Sequence, residues 1–423
     1  MSHQVAAPGY FDVVARTGHN DFRRGRLVSS ALVLVGLAAF AWMLFSGQPR
    51  EAWTAYLVNL VFFLGLAQGG IVWAAVARTT RGTRWASGLV RYAEAMSAFL
   101  PAGYLLVLVF FFAGGSSLYG WVKQPVAHVA PWLNWPFFMA RNIILMGALV
   151  LMSRKLLGLS LAPDLSRLKD RVPPRLRDLY LKRTAKGAPD DAATQRSLLN
   201  WSPWLVLVYC IVYSVWAFDV MMALDPSWHS TLFGAFIFMS TLYTGLAALS
   251  LAMIWTRKPL GLEGTIGTEQ FHTVGKLLFS FALFWVYSYW SQFLVIWYGN
   301  LTEEAPFVVL RLSGPFTKWA WTVFFLTFFI PFFGLMNWTT KRRPELLQWF
   351  ALIALLGVWL ERNLIIQPAV HPTYFSLSPG VLGVMLGFLG AFSLTFLNFA
   401  SKYPMVSSLG IPDGAPAEWH GGH

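Results

Sequence analysis

Ten stretches of about twenty apolar residues follow one another along this 423-residue chain, and a bilayer core needs roughly that many per helix. They fall at Leu27–Phe45, Ala52–Ala77, Trp85–Phe112, Trp135–Met152, Trp201–Met222, Leu232–Trp255, Phe271–Tyr298, Lys318–Trp338, Leu346–Leu364 and Pro379–Phe399. Lipid offers backbone groups no hydrogen bonds, so each run is expected to be a helix that satisfies itself. Composition agrees: 56% of residues are hydrophobic and 12% charged, against about 25% charged in soluble domains. A disordered chain, a nucleic-acid-binding domain and a water-soluble enzyme are thereby excluded. The fold expected is an all-α integral membrane protein. Residues 1–26 are polar and carry Arg16, Arg23, Arg24 and Arg26, so no cleaved leader is expected and the first helix stays as an anchor.

Charge sets the orientation. The N-terminal segment, the loops after helices 2, 4, 6 and 8 and the C-terminal tail hold 24 of the 32 Lys and Arg residues, and the opposite loops hold five. The positive-inside rule then puts both termini in the cytoplasm. The segments expected are 1–26 (cytoplasmic), 27–152 (helices 1–4), 153–200 (a basic loop), 201–399 (helices 5–10) and 400–423 (a cytoplasmic tail). The loop carries Leu165, Leu168 and Val172 on one amphipathic face, and Leu176, Leu179 and Tyr180 on another. A helix at the anionic leaflet and a docking segment for a partner are the two readings of it.

The dipeptides Tyr119-Gly120 and Pro136-Phe137 return as Tyr298-Gly299 and Pro315-Phe316 at an offset of 179 residues. Such an interval fits two parallel four-helix units.

Charged groups inside a bilayer are functional candidates, with ion pairing or packing as the plain alternative. On helix 7, His272, Lys276, Ser280, Tyr287, Ser291 and Tyr298 form one stripe, within an arc of about 100°. It reads as the wall of a hydrated path or as packing glue. Arg91 and Glu94 lie one turn apart on helix 3. Toward the other face lie Arg141, Asp219 and the pair Glu361-Arg362, while Asp225-Pro226 reads as a helix cap. Of the eight histidines only His272 falls in a span, so a bis-histidine haem or copper centre is not expected. The lone Cys210 excludes a cysteine-ligated cluster, and metal binding by the tail Trp419-His-Gly-Gly-His423 is not expected.

The run Phe218-Asp-Val-Met-Met-Ala-Leu-Asp-Pro-Ser-Trp-His-Ser-Thr-Leu-Phe-Gly234 resembles a signature of the polysulfide-reductase/NrfD-like membrane subunits of alternative complex III. So do Gly275-Lys-Leu-Leu-Phe279 and Phe284-Trp-Val-Tyr-Ser-Tyr-Trp-Ser-Gln-Phe-Leu-Val-Ile-Trp-Tyr-Gly-Asn-Leu-Thr-Glu-Glu304. Within that family, Trp132-Leu-Asn-Trp-Pro-Phe-Phe-Met-Ala-Arg-Asn142 looks like the ActF type. The histidine-bearing segment that ActC-type chains carry after helix 3 does not occur in Gly115-Ser-Ser-Leu-Tyr-Gly-Trp-Val-Lys-Gln-Pro125. The resemblance implies two four-helix bundles, helices 2–5 and 6–9, with helices 1 and 10 flanking. It also implies a subunit of a quinol:cytochrome c (or similar acceptor) oxidoreductase in the bacterial inner membrane. Its partners would be an ActC-like paralogue, an Fe–S subunit, multihaem cytochrome subunits and a terminal oxidase.

The expected role is proton conduction without a redox metal of its own. Glu94, His272 and Lys276 would form a cytoplasmic half-path, Asp219, Arg141 and Glu361 one to the other face, with Tyr287 between them. Direct quinol binding and a purely structural anchor are the alternatives. Quinone (menaquinone included) and lipids are the ligands to consider; no nucleic acid is expected.

Overall fold

A computed structural model describes residues 20–80, 88–127, 129–184 and 190–407. The expectations placed on residues 1–19 and on the C-terminal Trp-His-Gly-Gly-His, with His3, His19, His128, His420 and His423, lie outside these residues. Among the described residues the regular structure is entirely helical. Ten helices are long and apolar enough to cross a membrane: α1 Arg23–Phe45, α2 Pro49–Thr79, α3 Val90–Leu118, α4 Trp135–Leu168, α5 Asp191–Leu224, α6 Leu232–Thr256, α7 Thr268–Gly299, α8 Gly314–Met336, α9 Pro344–Val370 and α10 Pro379–Ala400. Such a set points to a multi-pass membrane protein.

Helix starts follow from local chemistry. Proline stands in the first turn of α2, α4, α9 and α10, where its missing N–H leaves no intrahelical bond unmade. The Asn134 side chain caps α4 by accepting from the Phe137 N–H at 3.1 Å, and Asp190 caps α5 through Ala192 and Ala193. Asn300 ends α7 in the left-handed region at φ 46°. Asp225 does not cap a helix, because α6 begins only at Leu232; its carboxylate closes a turn with the Ser227 N–H and hydroxyl instead.

Almost the whole of α2 is buried, and the other helices gather round it. It packs on α3 and α5, and α4 packs on both of those; α6 packs on α7 and α9, and α8 on both of those. The α2–α5 and α6–α9 groups meet where α2 crosses α6 and α9 and where α5 crosses α6. The α2–α6 crossing depends on glycine: a Cβ on Gly69 would come 2.4 Å from the Thr241 carbonyl oxygen, and one on Gly245 would come 2.7 Å from the Gly69 backbone. Small residues at a crossing let backbones approach in this way. The same device joins α1 to α10 outside both groups, where Gly36 lies against Gly387.

The segment 153–200 is mostly helix rather than loop. α4 continues to Leu168, a short helix covers Pro174–Thr184, and α5 already begins at Asp191. Polar composition misplaced these ends, because a helix does not have to stop where the apolar run does, and α4 continues even through Pro163. Leu165, Leu168, Leu176 and Tyr180 are buried against the chain itself, and the Tyr180 hydroxyl donates to the Lys402 carbonyl at 3.1 Å. Much of both amphipathic faces thus packs against the chain itself, with Val172 and Leu179 half-buried.

Candidate functional site

Three buried charge clusters lie within the helices. The first joins α2, α3 and α4. Glu94 is held by Arg78, by the Ser160 hydroxyl at 2.9 Å, and by Arg91, whose Nη1 lies 3.1 Å away without hydrogen-bond alignment. Arg91 also pairs with Asp164 and donates to the Ser160 carbonyl at 3.0 Å. Two arginines balance two carboxylates, as a site so far from water requires. Sequence reading found the Arg91–Glu94 pair but placed Asp164 in a loop and Arg78 beyond a helix end.

The second cluster joins two segments on which the family resemblance rests. Arg141 makes a bidentate pair with Asp219, Nε to Oδ2 and Nη2 to Oδ1, both at 2.8 Å. Asn142 donates to Asp219 at 2.8 Å and the Trp132 indole N–H at 3.0 Å. The Arg141 guanidinium stacks on the Trp132 ring at 3.8 Å, a cation–π contact. Asp219 reaches this position because α5 widens into a π-turn at Ala217–Met221, a form that often marks functional sites. Tyr119 and Trp121 hold the widened turn by donating to the Val220 and Ala223 carbonyls.

The third cluster lies between α6, α7 and α9. Glu361 pairs with Arg362 and accepts from the Ser240 hydroxyl at 3.0 Å and the Trp285 indole at 2.9 Å. It stands nine residues before the end of α9, about 14 Å along the axis. It borders a cavity of about 80 Å³ walled by aromatic side chains, with Arg311 on another wall. Arg311 is buried; it donates to the carbonyls of Phe307 and Ile365 at 2.8 and 2.7 Å and leaves its Nε without a partner. Burial pushes this guanidinium down to about 9, so it remains a cation at neutral pH. Ser240, Trp285 and Arg311 were not singled out from sequence. Only Arg311 carried a signal, as one of the few cations in the sparsely charged loops.

The structure separates residues that the two half-paths brought together. Glu94 is enclosed in the α2–α4 cluster, whereas His272 and Lys276 lie on the outer side of α7, with His272 against the Trp338 ring at 6.0 Å. Arg141 and Asp219 meet each other but not Glu361, which belongs to the α6–α9 group. Tyr287 is 66% exposed and bridges nothing; Tyr298, Lys276 and Ser280 are exposed as well. The period of 3.6 residues tells which side chains share a face but not which way it turns. The inner face of α7 is Val274, Gly275, Leu278, Ala282 and Trp285. Among the described residues no three His, Cys, Asp or Glu side chains come together as a metal-ligand set. No protein-family model matches the sequence, and no curated protein matches it either.

Proposed function

We propose that the chain is a ten-span membrane subunit that conducts protons through its α6–α9 group, with Glu361 as the carrier. It would serve a quinol:acceptor oxidoreductase of the alternative complex III kind, as an ActF-type, NrfD-like subunit. The single observation that carries the reading is the position of Glu361. It is 3% exposed, balanced by Arg362, and one of the residues that line the aromatic cavity. An acid that exchanges a proton through water needs room for that water beside it. Glu94, enclosed by Arg78, Arg91 and Ser160, and Asp219, which accepts four hydrogen bonds, do not line this cavity. Arg311 lines the same cavity.

The helix neighbours support two four-helix bundles, α2–α5 and α6–α9, with α1 and α10 flanking. The basic loops favour a cytoplasmic side for both termini, with the cavity toward the opposite face, and a bacterial inner membrane is the location that the resemblance implies. The convergence of Trp132, Arg141, Asn142 and Asp219 supports the family reading, because two separate motifs of the resemblance meet in one site. Electron carriers would reside in the Fe–S and multihaem partners, alongside an ActC-like paralogue and a terminal oxidase.

One observation favours a second reading. An aromatic cavity with an unpartnered guanidinium N–H also suits a quinone carbonyl, so direct quinol binding here is the alternative. Isolation of the tagged chain from native membranes in mild detergent tests both. Co-purification of haem and Fe–S subunits is expected; a chain that emerges alone refutes the oxidoreductase reading. A quinol affinity lowered about tenfold by Arg311→Gln, one charge-assisted hydrogen bond, would favour the second reading over the first.

A further inference from the structure

A groove at the basic end of the molecule is not used by either reading. It lies between α3, α4 and α10, has a volume of about 230 Å³, and is lined by Ser97, Pro101, Arg154, Leu157, Asn398 and Lys402 among others. Arg154 and Lys402 are both exposed, and among the described residues neither has a carboxylate within 4.0 Å. Nearby cations are matched: Arg26 pairs with Asp21 at 2.5 Å, Arg167 with Asp191, and Arg91 with Asp164. Arg154 stands two residues after Met152, the last residue of the apolar run of α4. A cation at that level faces the phosphate layer of a bilayer.

Four residues along α3 from Pro101 and three back along α4 from Arg154 stand exposed leucines. Leu105 on α3 is 62% exposed and Leu151 on α4 is 69% exposed. The groove therefore offers two cations and the Asn398 amide, with exposed leucines one helical turn away on α3 and α4. Basic pockets between helices on the cytoplasmic side suit acidic headgroups.

We infer that this groove binds one acidic phospholipid, its phosphodiester between Arg154 and Lys402 and its acyl chains along Leu105 and Leu151. Asn398 and Ser97 supply neutral hydrogen-bonding groups toward the glycerol region. The lipid would tie α10, and through it α1, to the α2–α5 group at a place where protein contacts leave a gap. The inference rests on the reading that these helices cross a bilayer.

The test uses the full chain, with any co-purified partners, delipidated in a neutral detergent. The midpoint of thermal unfolding is followed while phosphatidylglycerol, phosphatidylcholine of the same chains, or inorganic phosphate is added. Phosphatidylglycerol is expected to raise the midpoint, and phosphatidylcholine and phosphate at equal concentration are not. In Arg154→Gln/Lys402→Gln the concentration needed should rise about tenfold or more, because each basic residue near an anionic headgroup adds a severalfold gain. Arg154→Lys, which keeps the charge, should lose little. Equal responses to the two lipids, or an unchanged affinity in the double variant, overturn the inference. A shift reproduced by phosphate alone at the same concentration overturns the lipid in favour of a free anion. Carbonate extraction of the membranes separates the two failures. A chain that stays in the pellet without preferring phosphatidylglycerol sinks this inference only, and one released into the supernatant sinks the membrane reading beneath it.

Discussion

Asp219 and Glu361 are both buried acids paired with arginine, and they differ in what the rest of the carboxylate meets. Asp219 accepts from Arg141 twice, from Asn142 and from Trp132, so its oxygens have no open side. That is a lock between α4 and α5. Removing one partner of such a pair leaves a buried charge alone, at a loss of about 3–5 kcal/mol. Asp219→Asn is therefore expected to lower unfolding stability by about that amount, since Arg141 remains. The double replacement Asp219→Leu/Arg141→Leu should recover most of it, as apolar substitutes often do. A single variant no worse than the double one would show that the pair is not the lock described. At the end of α9, His371 lies 3.5 Å from the Thr54 hydroxyl and 3.3 Å from that of Tyr374, with Arg50 and Glu51 as its charged neighbours. Burial, then Arg50, hold His371 below its ordinary value, with Glu51 opposing. A depressed value means the folded state prefers the neutral ring. The contribution is therefore complete above the ordinary histidine value of about 6.5 and is lost as pH falls through the lower folded one. Unfolding midpoints taken from pH 7.5 downward should drop more steeply below about 6.5 in the native chain than in His371→Gln. Parallel profiles would contradict this.

At the scale of helices, the apolar runs showed where each crossing segment lies, because hydropathy is a property of the residues themselves. Their ends were less legible: α4 runs past Met152 to Leu168 and carries Gly158 and Pro163 within it, residues that in sequence mark a helix end rather than its middle. The facing of α7 was not legible at all. Its polar stripe is real, but the stripe turns outward and the Trp285 face turns in, a choice made by the neighbours α6 and α9. Asp219 and Glu361 were visible as lone acids in apolar runs, whereas Ser240 and Arg311 were not, because a serine in a span or an arginine in a loop is common. The π-turn that carries Asp219 has no sequence mark that was read. The crossing of α2 and α6 was written in glycine, and it can be probed there. Gly69→Val would press its side chain into the Thr241 carbonyl and force the two helices apart. A loss of about 1–3 kcal/mol or more is expected, as for other overpacked sites. Gly158→Ala, where a Cβ meets nothing within 4 Å, is the control that should change little.

Across the whole molecule the two helix groups differ in how their buried charges are held. Among the described residues the α2–α5 group contains two charge-balanced ion clusters, which join its helices, and the α6–α9 group contains Glu361, the buried acid that borders the aromatic cavity. Division of this kind suits a subunit in which one half holds partners and the other moves protons. The function proposed above draws a shorter path within α6–α9 in place of the one expected across both groups. Its most direct test is the number of protons released per electron transferred, measured on the purified native assembly in liposomes. Glu361→Gln is compared there with the unaltered protein at matched haem content. The account predicts that electron transfer continues while protons released per electron fall. An unchanged ratio in a fully assembled variant would contradict it.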